Sequence, residues 1–340
     1  MRNIDKFRGC LIAGAAGDAL GYAVEFKRED EIFSEYGKDG ITEYDLILDD
    51  DVAEISDDTQ MTLFTAEGML LARNSTDNTG YISSIRDMYK CWYQTQSEKY
   101  PAQDTKHCSQ LMRMPELYHR RCPGTTCMTE IKAGANGTVE VPINDSKGCG
   151  GVMRVAPIGL YFTDTDISYE YSDILAAEAA ALTHGHDLGF IPAAALVHIV
   201  RAVTESDIPL KAAINDSIAA MEKLFPKAEH ISEFTAIMQK AVQLAETEQN
   251  DLSAIHHLGE GWVAEETLAI AVYSALRYEN DFDMALRTAV NHNGDSDSTG
   301  AVCGNILGAY IGYNSIPIKY KERLELHDLI CEISDMLCKE

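Results

Sequence analysis

Two short acidic runs near opposite ends of the sequence carry the side chains best suited to chemistry. One is Ser56-Asp57-Asp58-Thr59 and the other is Gly294-Asp295-Ser296-Asp297-Ser298-Thr299-Gly300. Capping accounts for much of the first, because Ser56 is a favoured N-cap and acids in a first helical turn complement the helix dipole. It accounts for less of the second, where Gly294 and Gly300 enclose two carboxylates with no base nearby. The second run also mimics an EF-hand loop, with carboxylates at positions one and three and glycine at six. Position twelve is Ile306, where that loop needs a bidentate glutamate, so the calcium reading fails. What remains is a set of oxygen ligands at two helix starts, suited to hard divalent ions such as Mg²⁺ or Mn²⁺ rather than zinc or copper. Four aspartates, with hydroxyls from Ser56 and from Ser298 or Thr299, suffice for two ions sharing bridging carboxylates.

A second candidate is the loop Lys147-Gly148-Cys149-Gly150-Gly151-Val152-Met153-Arg154, ahead of an apolar segment that Pro157 interrupts. Its backbone N–H groups can hold a diphosphate, although an ordinary turn reads equally well and neither a Walker loop nor a dinucleotide glycine pattern is present. Thr183-His184-Gly185 reads as the end of a helix, with a dipole-complementing His and a terminal glycine. Cys10 and Cys303 read as small core residues, and no serine- or cysteine-nucleophile motif occurs.

Helices must position these groups. Apolar residues at i, i+3, i+4 spacing predict helices near 4–21, 57–73, 81–97, 168–184, 188–204, 209–224, 232–248, 263–278, 299–313 and 320–337. Strand-like alternation is confined to fragments such as 138–143, so the chain is mostly α. Pro and Gly gather between 98 and 150, an irregular stretch long enough to be functional or an insertion. Gly300, Gly304, Gly308 and Gly312 line one helix face at a cost of about 1 kcal/mol each relative to Ala, which calls for a closely packed neighbour. Gly14, Gly17 and Gly21 repeat the device near the N-terminus. Pairing of these two helices is therefore expected, and it brings Asp18 and Glu25 toward the acidic runs.

Composition narrows the function. With 28 Lys and Arg against 54 Asp and Glu, the net charge of −26 repels phosphate backbones and anionic lipid, excluding general nucleic-acid or membrane-surface binding. The apolar stretches 190–200 and 300–313 are short or broken by His198 and Asn305, so no bilayer span is expected. The N-terminus imitates a signal peptide, but Asp5 and Asp18 bracket a very short apolar run. Nine cysteines without C-x-x-C or zinc spacing read as reduced thiols of a cytoplasmic protein, expected to be a monomer. A length of 340 residues allows two domains, yet a site joining positions 57 and 297 favours a single domain over 1–340.

Taken in order, several motifs together resemble the ADP-ribosylglycohydrolase family, the group of dinitrogenase-reductase-activating glycohydrolase and the ADP-ribosylarginine hydrolases. They are Gly17-Asp18-Ala19-Leu20-Gly21 with Glu25, Ser56-Asp57-Asp58-Thr59, and Gly150-Gly151-Val152-Met153-Arg154-Val155-Ala156-Pro157-Ile158-Gly159. Thr183-His184, Trp262-Val263-Ala264-Glu265-Glu266 and the run from Gly294 to Gly300 complete the set. The resemblance implies a compact, orthogonal all-α multi-helix fold with at most short β fragments, and a dinuclear Mg²⁺ or Mn²⁺ centre between the acidic runs. Ser56, Asp57, Asp58, Asp295, Asp297 and Ser298 match metal-ligand positions, and Glu25, with Asp57 and Asp58, matches the catalytic acids. Gly148, Cys149, Gly150, Gly151, Val152 and Met153 match the segment that holds the ADP-ribose phosphates and distal ribose, and His184 matches a residue at the ligand cleft. Ser298 stands where many members have Thr, which keeps the hydroxyl; Cys149 stands where many have Asn, which removes a polar contact.

The Asp-Ser-Asp-Ser-Thr-Gly wording and the cysteine resemble the arginine-directed branch. The implied activity is hydrolysis of the N-glycosidic bond of ADP-ribosyl-arginine, with an ADP-ribosylated protein or other ADP-ribose conjugate as partner. Serine, nucleobase and small-molecule acceptors, a non-catalytic relative, and a two-metal phosphohydrolase are the alternatives. The complete acid set argues for turnover. An anionic diphosphate entering so acidic a protein needs local positive charge, for which divalent ions, backbone N–H groups and Arg154 are the candidates.

Overall fold

A computed structural model describes residues 2–46, 51–75, 77–102 and 109–339. The chain opens with α1 (Ile4–Tyr22), α2 (Glu29–Tyr36), α3 (Asp57–Leu71) and α4 (Asn78–Ser97). After the irregular stretch come α5 (Thr125–Ala133), α6 (Ala156–Tyr161), α7 (Tyr169–Ala181) and α8 (Asp187–Glu205). The remainder is α9 (Leu210–Leu224), α10 (Ile231–Ala245), α11 (Asp251–His256), α12 (Ala264–Arg277), α13 (Phe282–Val290), α14 (Ser296–Ile311) and α15 (His327–Lys339). Among the described residues β structure is limited to two isolated bridges, Ala53 with Leu324 and Gly148 with Val263. The fold is all-α, and residues 138–143 form bends and irregular backbone rather than a strand.

Periodicity finds the long helices and misses α2, α5, α6, α11 and α13, which span 8, 9, 6, 6 and 9 residues. A helical repeat needs a window of about 11 residues to register, so these pieces fall below it. α5 also breaks the stretch read as irregular, and residues 103–108 of that stretch lie outside the described residues. Pro157 does not interrupt a segment; it stands in the first turn of α6, where its missing N–H costs no intrahelical bond.

The two glycine-lined helices pack directly on each other, antiparallel. A Cβ on Gly17 would lie 2.0 Å from the Gly300 carbonyl oxygen, one on Gly304 2.0 Å from that of Ala13, and one on Gly308 2.1 Å from that of Gly9. The backbones touch along this seam, which is why no side chain fits there. Asn305 fastens it with an Nδ2 bond of 3.0 Å to the Cys10 carbonyl. Gly312 ends α14 at a φ of +80° and still meets α1, where a Cβ on it would lie 2.1 Å from Asp5 Oδ2. Antiparallel contact sets the end of α1 against the start of α14, with a Cβ on Gly21 2.2 Å from the Ser296 carbonyl oxygen.

Helix α8 runs beyond the apolar stretch seen in the sequence. At 19 residues it is long and apolar enough to cross a membrane by length and composition, and 94% of that window is buried inside the fold. Its polar groups are satisfied there: His198 Nδ1 lies 2.8 Å from Asp173, and Arg201 Nε donates to Glu205 at 2.8 Å. α8 packs against α6, α7, α9, α12 and α14 and so forms the centre of the core.

Candidate functional site

Three helix ends converge at the site: the C-terminal end of α1 and the N-terminal ends of α3 and α14. Asp18, fully buried on α1, accepts the N–H groups of Ser56 at 3.0 Å and Thr59 at 3.1 Å, together with the Thr59 hydroxyl. It thereby holds the start of α3 against α1. Ser56 is the N-cap of α3, its Oγ accepting the Asp58 N–H at 3.1 Å, and it lies beneath the cleft rather than on its wall.

The second run is shaped by close contact with the chain at 260–261. Gly294 has a φ of +111°, and a Cβ there would lie 1.9 Å from the Glu260 carbonyl oxygen. That same oxygen accepts the Asp295 N–H at 2.8 Å. Thr299 Oγ1 lies 2.7 Å from the Ala289 carbonyl and 2.8 Å from that of Asp295, so it ties the loop. Of the two hydroxyls that the sequence offered, Ser298 is the one that lines the cleft.

The cleft encloses about 400 Å³. Glu25, Asp57, Asp58, Asp295, Asp297 and Ser298 form its acidic wall, and Gly148, Cys149, Gly150, Met153 and His184 face them. Gly151 and Val152 of the glycine loop do not reach it. Val152 is fully buried, and Gly151 packs where a Cβ would lie 2.5 Å from the Gly189 carbonyl oxygen. The loop is held by the bridge to Val263, with the Cys149 N–H on the Trp262 carbonyl at 3.2 Å and the Ala264 N–H on that of Lys147 at 2.8 Å. A larger hollow of about 680 Å³ beside Glu67 and Met336 contains none of these acids.

Carboxylate oxygens of Glu25, Asp295 and Asp297 lie within 4.8 Å of one another. Burial, reinforced by Asp297, pushes Glu25 up to about 11 and Asp57, Asp58 and Asp295 well above the usual carboxylate range. Burial and Asp297 likewise push Asp18 up to about 7, against the hydrogen bonds from Thr59 and Ser56. Glu25 Oε2, Asp58 Oδ2 and Asp295 Oδ2 are buried without a hydrogen-bond partner. Orphaned oxygens of this kind are costly unless something cationic joins them. An all-oxygen donor set with atoms left over fits a hard divalent ion, whose charge reverses the local logic of protonation.

Arg154 does not face an incoming anion. It is fully buried behind the glycine loop, donating to Thr183 Oγ1 at 2.7 Å and the Ala179 carbonyl at 3.2 Å. His184 is buried at the cleft wall, and burial with the nearby Arg154 charge drives its pKa down to about 3, so the ring is neutral. Burial, with Asp295 and Asp58 close by, pushes the Cys149 thiol well up, which makes it a protonated neighbour of the acids. The described cysteines are free thiols, and Cys108 lies outside the described residues.

Several contributors to the site were not singled out by their sequence pattern. Asp18 sits in a quoted motif, but its anchoring role needs the α1–α3 contact. Phe26 and Trp262, 67% and 40% exposed, stack with ring centroids 6.2 Å apart at the cleft. Residues 122–127 add another wall, and the Gly124 N–H donates to Asp57 Oδ2 at 3.3 Å. The clustering of Pro and Gly between 98 and 150 was the only sequence signal for that wall.

A family model described as ADP-ribosylglycohydrolase matches residues 1–340. An uncharacterized protein of Archaeoglobus fulgidus is 28% identical over 98% of this chain and 96% of its own length. ADP-ribosylhydrolase ARH3 of Mus musculus is 23% identical, covering 95% of this chain and 88% of that protein. ADP-ribosylhydrolase ARH1 of Dictyostelium discoideum is 24% identical over 96% of this chain and 92% of that protein. A solved ADP-ribosylglycohydrolase-related protein complex superposes with a TM-score of 0.68 at 23% identity, covering 99% of this chain and 98% of that one.

Proposed function

The chain belongs to the ADP-ribosylglycohydrolase family, and on that premise we propose that it is a divalent-ion-dependent hydrolase releasing ADP-ribose from ADP-ribosylated arginine. The observation that carries this reading is the convergence of Glu25, Asp57, Asp58, Asp295, Asp297 and Ser298 on one cleft opposite the glycine loop. Asp57, Asp58, Asp295, Asp297 and Ser298 would hold two Mg²⁺ or Mn²⁺ ions, with Ser56 serving them as the cap that fixes Asp57 and Asp58. Bound there, such ions supply positive charge that orients sugar hydroxyls and lowers the pKa of water.

The diphosphate lies along Gly148, Cys149 and Gly150. The N–H groups of Cys149, Val152 and Met153 are already engaged by the carbonyls of Trp262 and Cys149, so Gly150 is the loop donor facing a ligand. Breaking the C1″–N bond builds positive charge on the ribose, which the acidic wall stabilises. Glu25 takes the proton of the attacking water and returns it to the departing nitrogen. Arginine suits the rim: a guanidinium is cationic and stacks on aromatic faces, and the exposed Phe26 and Trp262 lie beside the acids. A serine hydroxyl would use neither feature.

Incubation with arginine-linked and serine-linked ADP-ribosyl proteins, in Mg²⁺ and in EDTA, tests the reading. Free ADP-ribose from the arginine conjugate, in Mg²⁺ only, is expected. Release only from the serine conjugate would reassign the acceptor, and AMP with ribose phosphate as products would replace glycohydrolysis by two-metal phosphohydrolysis.

A further inference from the structure

Arg154 is a fully buried cation with no carboxylate partner among the described residues. Its guanidinium is nonetheless fixed from several sides. It sits 4.4 Å from the centre of the Tyr89 ring and donates to Cys127 Sγ at 3.3 Å, to the Ala179 carbonyl at 3.2 Å and to Thr183 Oγ1 at 2.7 Å. Its Nε has no hydrogen-bond partner, so the N–H groups of Nη1 and Nη2 carry the contacts that offset a costly buried charge. The contact that leads toward the cleft is the one to Thr183.

Thr183 Oγ1 lies 2.8 Å from His184 Nδ1. The hydroxyl has one hydrogen, and its oxygen is already accepting from Arg154. That hydrogen can go to His184 Nδ1, to Cys127 Sγ, a weak acceptor that already takes an Arg154 N–H, or to the Ala180 carbonyl, which is 3.4 Å away and already accepts the N–H groups of Thr183 and His184. Distance and competition both favour the histidine. An oxygen that accepts from a guanidinium is also polarised into a better donor. His184 Nδ1 is then the acceptor, and the ring proton must sit on Nε2.

Nε2 is the atom that meets the glycine loop. A Cβ on either Gly148 or Gly150 would lie 3.3 Å from it. The residue is 2% exposed, and no hydrogen bond engages Nε2 among the described residues. With the other tautomer the same ring would turn a lone pair toward whatever lies on the loop, which repels an anion. The neutral form is secured by burial and by the Arg154 charge.

We propose that Arg154 and Thr183 are positioning residues that fix His184 as the Nε2–H tautomer, so that a buried neutral imidazole donates to a phosphate oxygen of ADP-ribose seated on Gly148 and Gly150. This rests on the diphosphate reading of the cleft given above. The chain of contacts runs from the α6 side of the core to the ligand without a titrating step: guanidinium to hydroxyl, hydroxyl to imidazole, imidazole to phosphate.

The test uses the full chain labelled with ¹⁵N-histidine and ADP-ribose itself as the probe, in Mg²⁺. In the wild type, His184 should show a pyridine-like Nδ1 and a pyrrole-like Nε2 by ¹⁵N NMR. Thr183→Val should lose that tautomer preference and bind ADP-ribose about tenfold or more weakly, the scale of one hydrogen bond to a charged group. Thr183→Ser, which restores the hydroxyl, should recover both the tautomer and the affinity. A wild-type Nδ1–H tautomer overturns the proposal, as does Thr183→Val binding at wild-type affinity or Thr183→Ser failing to rescue. A wild type that binds no ADP-ribose overturns the diphosphate reading and the ligand half of this proposal with it, while the tautomer measurement still decides the other half.

Discussion

Replacing Asp297 with alanine is expected to abolish divalent-ion binding and hydrolysis together while leaving the fold intact. Its carboxylate lies within 4.8 Å of those of Glu25 and Asp295. It is also the leading charged neighbour raising Glu25, Asp18, Asp57, Asp58 and Asp295, second only to burial. Removing it therefore relieves repulsion in the metal-free protein. The variant should melt no lower than wild type in EDTA, which separates loss of a ligand from loss of structure. Several kcal/mol of transition-state stabilisation should go with the ions, about a thousandfold or more in turnover. Calorimetric titration with Mg²⁺ beside a thermal melt in EDTA checks both halves, and retained tight Mg²⁺ binding by the variant would remove Asp297 from the ligand set.

Glu25→Gln is expected to lower kcat by about 10²–10⁴ with little change in Mg²⁺ affinity, because the amide keeps the shape of the side chain and cannot carry the proton. Glu25 lies within 4.8 Å of Asp295 and Asp297 but reaches them from a different part of the backbone. It follows the end of α1 and precedes the exposed Phe26, whereas Asp57, Asp58 and Asp297 lie in the first turns of α3 and α14. Single-turnover rates with ion titrations on the same samples make the distinction. A large fall in Mg²⁺ affinity in Glu25→Gln would make Glu25 an ion ligand instead of the proton carrier.

How much of this was readable before the structure depends on whether the signal was local. The α1–α14 seam was readable, since glycines at four-residue spacing have few causes other than close packing, and Gly17 against Gly300 fulfils that expectation. The seam brings Asp18 and Glu25 to Asp297, but Asp57 joins that cleft through the hydrogen bonds of Ser56 and Thr59 to Asp18, which no spacing announces. The position of Arg154 was not readable, because a cation in a glycine-rich loop motif looks like a ligand contact until burial turns it toward Thr183. Ser56 is similar: the cap and the ligand need the same residue type, and the structure adds the cap, a bond from the Asp58 N–H that leaves the hydroxyl a second lone pair. Phe26 carries no pattern, and Trp262 opens a recognised motif that says nothing of its role, since the exposure of both is a property of the assembled surface. Helix α8 shows the reverse case, with a membrane-like composition whose meaning is set by the helices around it.

The net charge of −26 gives these assignments a common consequence. A diphosphate cannot approach a wall of buried acids unless their charge is reversed locally, and Arg154 is not placed to do so by contact. Titration of ADP-ribose by calorimetry, first with saturating Mg²⁺ and then with excess EDTA, asks directly whether the acids act through divalent ions. Affinity about tenfold or more weaker in EDTA is the expected result. Equal affinity in the two conditions would contradict the assignment of these acids as an ion site that receives ADP-ribose.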